Sequence, residues 1–302
     1  MSEANAAAST VGELSRNLRA EFSRQAQKLQ MLPAVAIQAL DIAKDPDCSI
    51  TDFVGVIERD SKLATDILGM SNSPLFSTGG GKILSLQKSV VRLGFRQCRN
   101  LILSTSLTSM MRNMSIEEEW IRDVLSRHAF LTGITAMHVN RIIGTGFQGE
   151  EFAAGLIHDF GRALLAVCLP HQFSEADALD FDENTRTLAN ESWVLGTNHC
   201  EAGAWFAEIS GLPSEFVEVV RNHHTPSNAM KHRRLVALTA LSDHIANHIQ
   251  RFDGCENYDL TTNDAVFVLE GTGLVNVGGR LSELISEIAD LARHDADQMI
   301  AF

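Results

Sequence analysis

Apolar residues return every three or four positions along almost the whole chain, and the strict alternation of a half-buried strand is scarce. The pattern predicts an all-α protein. A first helix is expected over 13–29. A second starts in LPAVAIQALDIAKDP and must stop before Pro46, because the residue ahead of a proline is pushed out of helical geometry. In SITDFVGVIERDSKLATDILGMSNS, Ser49 or Thr51 is placed to cap the first of two short helices, and a polar break follows at Asn72 and Ser73. The glycine run in PLFSTGGGK reads as a loop, without the preceding strand or the following Lys-Ser/Thr that a phosphate-binding loop needs. A helix pair, SLQKSVVRLGF and RQCRNLILSTSLTSMM, comes next.

These breaks divide the chain into a flexible start (1–12), a helical subdomain (13–114), a second helical subdomain (115–250) and a tail (251–302). The second subdomain opens on SIEEEW, where Ser115 would cap and Glu118 lies three residues on. The tail has a glycine-containing loop and then the helix RLSELISEIADLARHDADQMI. Its stripe of Leu281, Leu284, Ile285, Ile288 and Leu291 should dock on the body or on a second copy of the chain, as a homodimer.

Composition narrows the classes. With 45% hydrophobic residues in 302, there is ample material for a core. The 25 basic residues are scattered among 38 acidic ones, for a net charge of −13, which argues against a nucleic-acid partner. No apolar run approaches the roughly 20 residues that span a bilayer, and the first residues lack a basic, then apolar, leader, so a cytoplasmic protein with no membrane partner is expected. Cys48, Cys98, Cys168, Cys200 and Cys255 are far apart and include no Cys-x-x-Cys pair. They read as reduced packing residues and not as a disulfide framework or a thiolate zinc site.

Candidate chemistry lies in histidines and aspartates on apolar faces. His128 follows Ile121, Val124 and Leu125 on the core-facing stripe of its helix, whereas His138 projects to another side. In FAAGLIHDFGRALLAVCLP, Ala153, Leu156, Ile157, Phe160, Leu164 and Val167 mark a buried face, with His158 and Asp159 at its margins. An ionised carboxylate there costs several kcal/mol unless something compensates it. His199 shares a face with Ala202, Gly203 and Phe206, which leaves room for an imidazole to reach a partner. His223 and His224 end PSEFVEVVRNHH, and Asp243 sits inside the apolar LVALTALSDHIANHI. Imidazoles and carboxylates from several helices could enclose one or two divalent ions, with an Asp bridging a pair and an activated water attacking a phosphate ester. A plainer account also fits: core histidines are often merely satisfied, paired histidines suit a helix C-terminus, and Arg162 could neutralise Asp159. His244 and His248, four apart, could bind an ion of their own.

The order His, His-Asp, His, His-His, Asp resembles the HD superfamily of metal-dependent phosphohydrolases. From about Leu29 to His248 the chain is similar, more closely, to the HDOD family of HD-related output domains in bacterial signalling. The similarity is carried by LQMLPAVAIQALDIAKDPDCSI, VIERDSKLATDILGMSNS, ILSLQKSVVRLGFRQCRNLIL, FAAGLIHDFGRALLA, ESWVLGTNHCEAGAWFAEISGLPSEFVEVVRNHH and LSDHIAN. The resemblance implies an N-terminal helical bundle packed on an HD-like helical core. It places His128, His158, Asp159, His199, His223, His224 and Asp243 at the ligand positions of one or two divalent ions (iron, manganese or zinc).

Departures from the pattern matter. Active cyclic-dinucleotide phosphodiesterases of the HD-GYP branch carry a Gly-Tyr-Pro loop after the double histidine, but this chain reads HHTPSNAMKH. Arg162 replaces their lysine, keeping the charge and changing its reach, and Val124 stands where some members place a glutamate ligand. These departures argue against three ions and against cyclic di-GMP hydrolysis. Two functions follow from the resemblance. One is a stand-alone regulator that binds another bacterial signalling protein or a small phosphate-containing ligand. The other is a metal-dependent phosphohydrolase acting on a nucleotide or other phosphate ester, with Asp159 central to catalysis and Arg162 on the phosphate.

Overall fold

A computed structural model describes residues 15–26, 32–43, 45, 47–73, 81–182, 186–255 and 257–300. The expected flexible start, both ends of the first expected helix, the stop at Pro46 and most of the TGGGK loop lie outside them. Every regular element among the described residues is a helix, with no strand among them.

The N-terminal elements are α1 (Arg16–Ala26), α2 (Ala34–Ile42), α3 (Ile50–Ile57), α4 (Ser61–Asn72) and α5 (Leu86–Asn113). Ser49 caps α3, accepting from the Asp52 amide at 3.1 Å. The polar break after α4 is put to use by Asn72, whose side chain donates to Ile83 O at 2.9 Å and accepts from Ile83 N at 2.7 Å. The expected helix pair is one long element broken at Gly94, where φ is 81°.

The second set is α6 (Glu119–Ile143), α7 (Glu150–Ile157), α8 (Phe160–Cys168), α9 (Pro170–Ala176), α10 (Arg186–Leu195), α11 (His199–Ile209), α12 (Ser214–Asn222) and α13 (Arg233–Phe252). α6 begins later than Ser115 suggested, with Glu118 at its N-cap. Ile116 is buried, so the chain drops into the core before the helix can start.

α14 (Asp264–Gly271), α15 (Val277–Ser282) and α16 (Ile285–Ile300) complete the chain. The single helix expected from Arg280 is thus two, separated at Glu283 and Leu284. α16 lies along α6, burying Ile285, Ile288, Ala289, Ala292 and Ala296, while Leu291 stays 41% exposed. The alanines allow close approach, which a leucine at the seam would prevent. No described helix is long and apolar enough to cross a membrane.

Two glycines set the spacing around the core. A Cβ on Gly155 (α7) would lie 2.3 Å from the Gly133 Cα (α6), and one on Gly161 (α8) would lie 1.9 Å from His199 O at the start of α11. Neither position has room for a side chain.

Candidate metal centre

The chain places seven side chains in one buried cluster through helix ends as much as helix faces. His158 is the C-cap of α7 and Asp159 the N-cap of α8, so the pair occupies a break between helices. The Asp159 carboxylate makes no capping bond to its own helix and turns into the cluster. His128 comes from mid-α6, His199 from the first turn of α11, His223 and His224 from the end of α12, and Asp243 from mid-α13.

The donors form two halves. In one, His128 Nε2 is 3.1 Å from His158 Nε2, and the two nitrogens are 3.0 and 3.3 Å from Asp243 Oδ1. Asp159 Oδ2 is 3.6 and 3.7 Å from the same nitrogens. In the other, Asp159 Oδ1 is 3.3 Å from Nε2 of both His199 and His223, and His224 Nε2 is 3.1 Å from His199 Nε2. Asp159 therefore has one oxygen in each half.

An outer layer of hydrogen bonds fixes the rings. His128 Nδ1 faces Gln250 Oε1 at 2.6 Å, His158 Nδ1 faces Gly155 O at 2.7 Å, His199 Nδ1 faces Glu191 Oε2 at 2.8 Å and His223 Nδ1 faces Val220 O at 3.0 Å. A neutral imidazole held this way keeps its proton on Nδ1 and presents a lone pair at Nε2. His128 and His158 thus aim lone pairs at one another with a carboxylate oxygen beside them. His199 and His223 aim Nε2 at Asp159 Oδ1, a buried oxygen 3.3 Å from both. Such sets repel unless a cation or protons lie among them, and separations of this size suit donors held at about 2.1 Å from a common ion. The residues therefore fit divalent ions of the zinc, iron or manganese type.

The electrostatics show the same demand for positive charge, which protons on His199 and His223 meet when no ion is bound. Burial works to raise the Asp159 pKa, but Arg162, His158 and His199 outweigh it and hold the carboxyl well below the usual range. Asp243 is likewise held low against burial by His158 and His128. Burial opposes a proton on His199, yet Glu191 carries it well above the imidazole range. His223 is pushed up to about 10 against burial by Cys200 and Asp159. His224 is driven well below the imidazole range by burial and by the neighbouring His223 and His199.

Arg162 lies behind the cluster, buried, with Nε 2.9 Å from Asp159 Oδ2 and Nη1 3.0 Å from Asp177 Oδ2. Of the other histidines, His138 pairs with Asp295 of α16 at 3.1 Å, and His244 Nδ1 is 2.8 Å from the Tyr258 hydroxyl.

Sequence reasoning passed over four residues that shape the centre. Glu191 and Gln250 orient His199 and His128, and Phe181 lies against His128. Cys200, read as a packing residue because it has no paired thiol, has its sulfur 4.0 Å from His223 Nε2. Burial would raise its thiol, but His199 and His223 bring it down to about 6. The available signal was its position directly after His199.

An all-helical fold with a His-Asp pair at a helix break and histidines from three further helices defines an HD-type protein. The HDOD domain model matches residues 29–226, and the chain belongs to the HDOD family. Among solved structures, it is similar to an HDOD domain protein of unknown function from Geobacter sulfurreducens (TM-score 0.70, 21% identity, 93% of this chain and 99% of that one). It is also similar to a protein of Shewanella amazonensis SB2B provisionally named a phosphohydrolase (0.64, 19% identity, 91% and 97%). A third is a protein of Marinobacter aquaeolei VT8 provisionally named a signal transduction protein (0.66, 21% identity, 97% of this chain and 62% of that one). At these identities the likeness concerns the fold. No curated protein matches the chain.

Proposed function

We propose that this is an HDOD regulatory protein whose core holds one or two divalent ions, and that it acts by binding a signalling protein or a small phosphate-containing ligand. The observation that carries the ion is the convergence of five imidazole Nε2 atoms on the carboxylates of Asp159 and Asp243 in a buried cluster. Enclosure supports regulation over turnover. His128, His158 and His199 have no exposed surface, and of the seven residues only His224 is more than marginally open to solvent. In this role His128, His158 and Asp243 hold one ion and His199, His223 and His224 the other. Asp159 is shared between them, and Arg162 positions Asp159. The test is elemental analysis of the protein as isolated and after loading with iron, manganese or zinc, beside an Asp159→Asn variant. A wild-type protein that retains no metal under any of these conditions would sink the reading.

A second reading, phosphohydrolase activity on a nucleotide or other phosphate ester, is favoured by one observation. A carboxylate with one oxygen in each of two halves is the arrangement that two-metal hydrolases use. Ions there would supply charge to a phosphate ester's oxygens, and the chain's contribution would be to orient the ester and hold the site dry. Metal-dependent turnover that is lost in Asp159→Asn, with folding intact, would move the assignment to this reading.

A further inference from the structure

The two halves of the cluster differ in chemistry. Around His128, His158 and Asp243 the inward donors are nitrogen and oxygen. Around His199, His223 and His224 there is also a sulfur: one ligand atom from each of His199, Cys200, His223 and His224 lies within 4.8 Å of all the others. Cys200 is 5% exposed and sits in the first turn of α11, where free backbone N–H groups favour an anion. A sulfur about 2.3 Å and a nitrogen about 2.0 Å from one ion lie roughly 3.5 to 4 Å apart. The 4.0 Å between Cys200 Sγ and His223 Nε2 falls at the upper end of that span. Cys98, Cys168 and Cys255 are also buried, yet none of them joins a group of metal-ligating side chains among the described residues. Cys200 is thus set apart by its position.

We propose that Cys200 is a thiolate ligand of the ion held by His199, His223 and His224, and that this makes one half of the centre selective for zinc or ferrous iron over manganese. The proposal rests on the reading that the cluster holds cations. The thiolate form ligates: any proton still on the sulfur leaves to solvent, and the sulfur lone pair forms the bond to the ion, with no change of oxidation state. Thiolate is the soft donor that separates zinc and iron from manganese, which suits oxygen ligands. The other half, lacking sulfur, would not discriminate in this way.

Cobalt(II) tests the proposal without any assay of turnover. The metal-stripped chain is titrated with Co²⁺, and its spectrum is compared with those of Cys200→Ser and, as a control, Cys168→Ser. The expected result is visible d–d bands together with a near-ultraviolet thiolate-to-cobalt band. Cys200→Ser should keep the visible bands and lose the near-ultraviolet one, and Cys168→Ser should keep both. Zinc affinity should fall about tenfold or more in Cys200→Ser while manganese affinity hardly changes, since even partners outside the ligand shell are worth that much. Visible bands without the near-ultraviolet band in the wild type would overturn the thiolate and leave the metal centre standing. No cobalt spectrum at all would overturn both. The decisive comparison is made on the wild-type chain, so it holds even if Cys200→Ser folds poorly.

Discussion

Phe181 lies flat against His128, with ring centroids 4.8 Å apart and planes at 28°. The residue reaches that position with φ at 52°, and Leu179 two positions earlier has φ at 51°. Positive φ is uncommon for bulky side chains and costs about 1–3 kcal/mol each. The segment is held in place by Asp177, which pairs with Arg162, and by Asp182, which accepts from Arg251 at 2.7 Å. Phe181→Ala is expected to speed the removal of bound metal by a chelator at least several-fold with little change in equilibrium affinity. Equal rates in variant and wild type would show that Phe181 does not cover the centre.

Arg162 gives a prediction about stability. Its guanidinium stands between Asp159 and Asp177, both buried. Arg162→Met should cost about 3–5 kcal/mol, because breaking a buried pair leaves carboxylates without compensation. Adding Asp177→Asn should recover part of that loss. Urea unfolding of the two variants measures it, and a loss below about 1 kcal/mol, a surface pair's worth, would contradict the buried role.

Acid should weaken metal binding. Without a bound cation, His199 and His223 hold protons well past neutrality, with His223 at about 10. An ion must displace those protons, so affinity rises with pH toward the His223 value and falls in acid. Calorimetry in buffers of different ionisation enthalpy should register proton release on binding. Affinity that does not vary across neutrality would refute the assignment of these protons.

Gly161→Ala should cost at least about 3 kcal/mol and weaken metal retention with it, because the new Cβ would lie 1.9 Å from His199 O and would force α8 and α11 apart. Gly69, in α4, has open space where a methyl group would go, with nothing within 4 Å. Gly69→Ala should be neutral or stabilising by up to about 1 kcal/mol. Thermal melts of the two variants give the contrast directly.

His128 and His138 lie on one helix and serve different neighbours. His128→Ala should reduce the metal bound per chain, whereas His138→Ala, which loses only the contact to Asp295, should leave it unchanged. Elemental analysis decides between them.

His128, His158, Asp159, His199 and Asp243 were legible as titratable groups on apolar helical stretches, a conflict that period and residue type expose without coordinates, whereas His223 and His224 showed only as a pair ending a helix. Glu191 and Gln250 carry no such conflict: a polar residue on an amphipathic helix looks the same whether it orients an imidazole or meets water. Cys200 was masked by the expectation that metal-binding thiols come in spaced pairs. The α15–α16 break and the late start of α6 escaped for a different reason, since both depend on where neighbouring helices stop the chain and not on its local period.

His158 closes α7, so the position of its ring is also the position of that helix's last turn. The opposite end of α7 is tied to the N-terminal half: Arg96 pairs with Glu150, and Asn100 donates to Gln148 O at 3.0 Å. α7 is about two turns long and rigid along its axis, so it is a short lever with the histidine cluster at one end and α5 at the other. If His158 holds an ion, a change in its coordination would reach the N-terminal bundle as a tilt of that lever, without any need for the cluster itself to meet solvent.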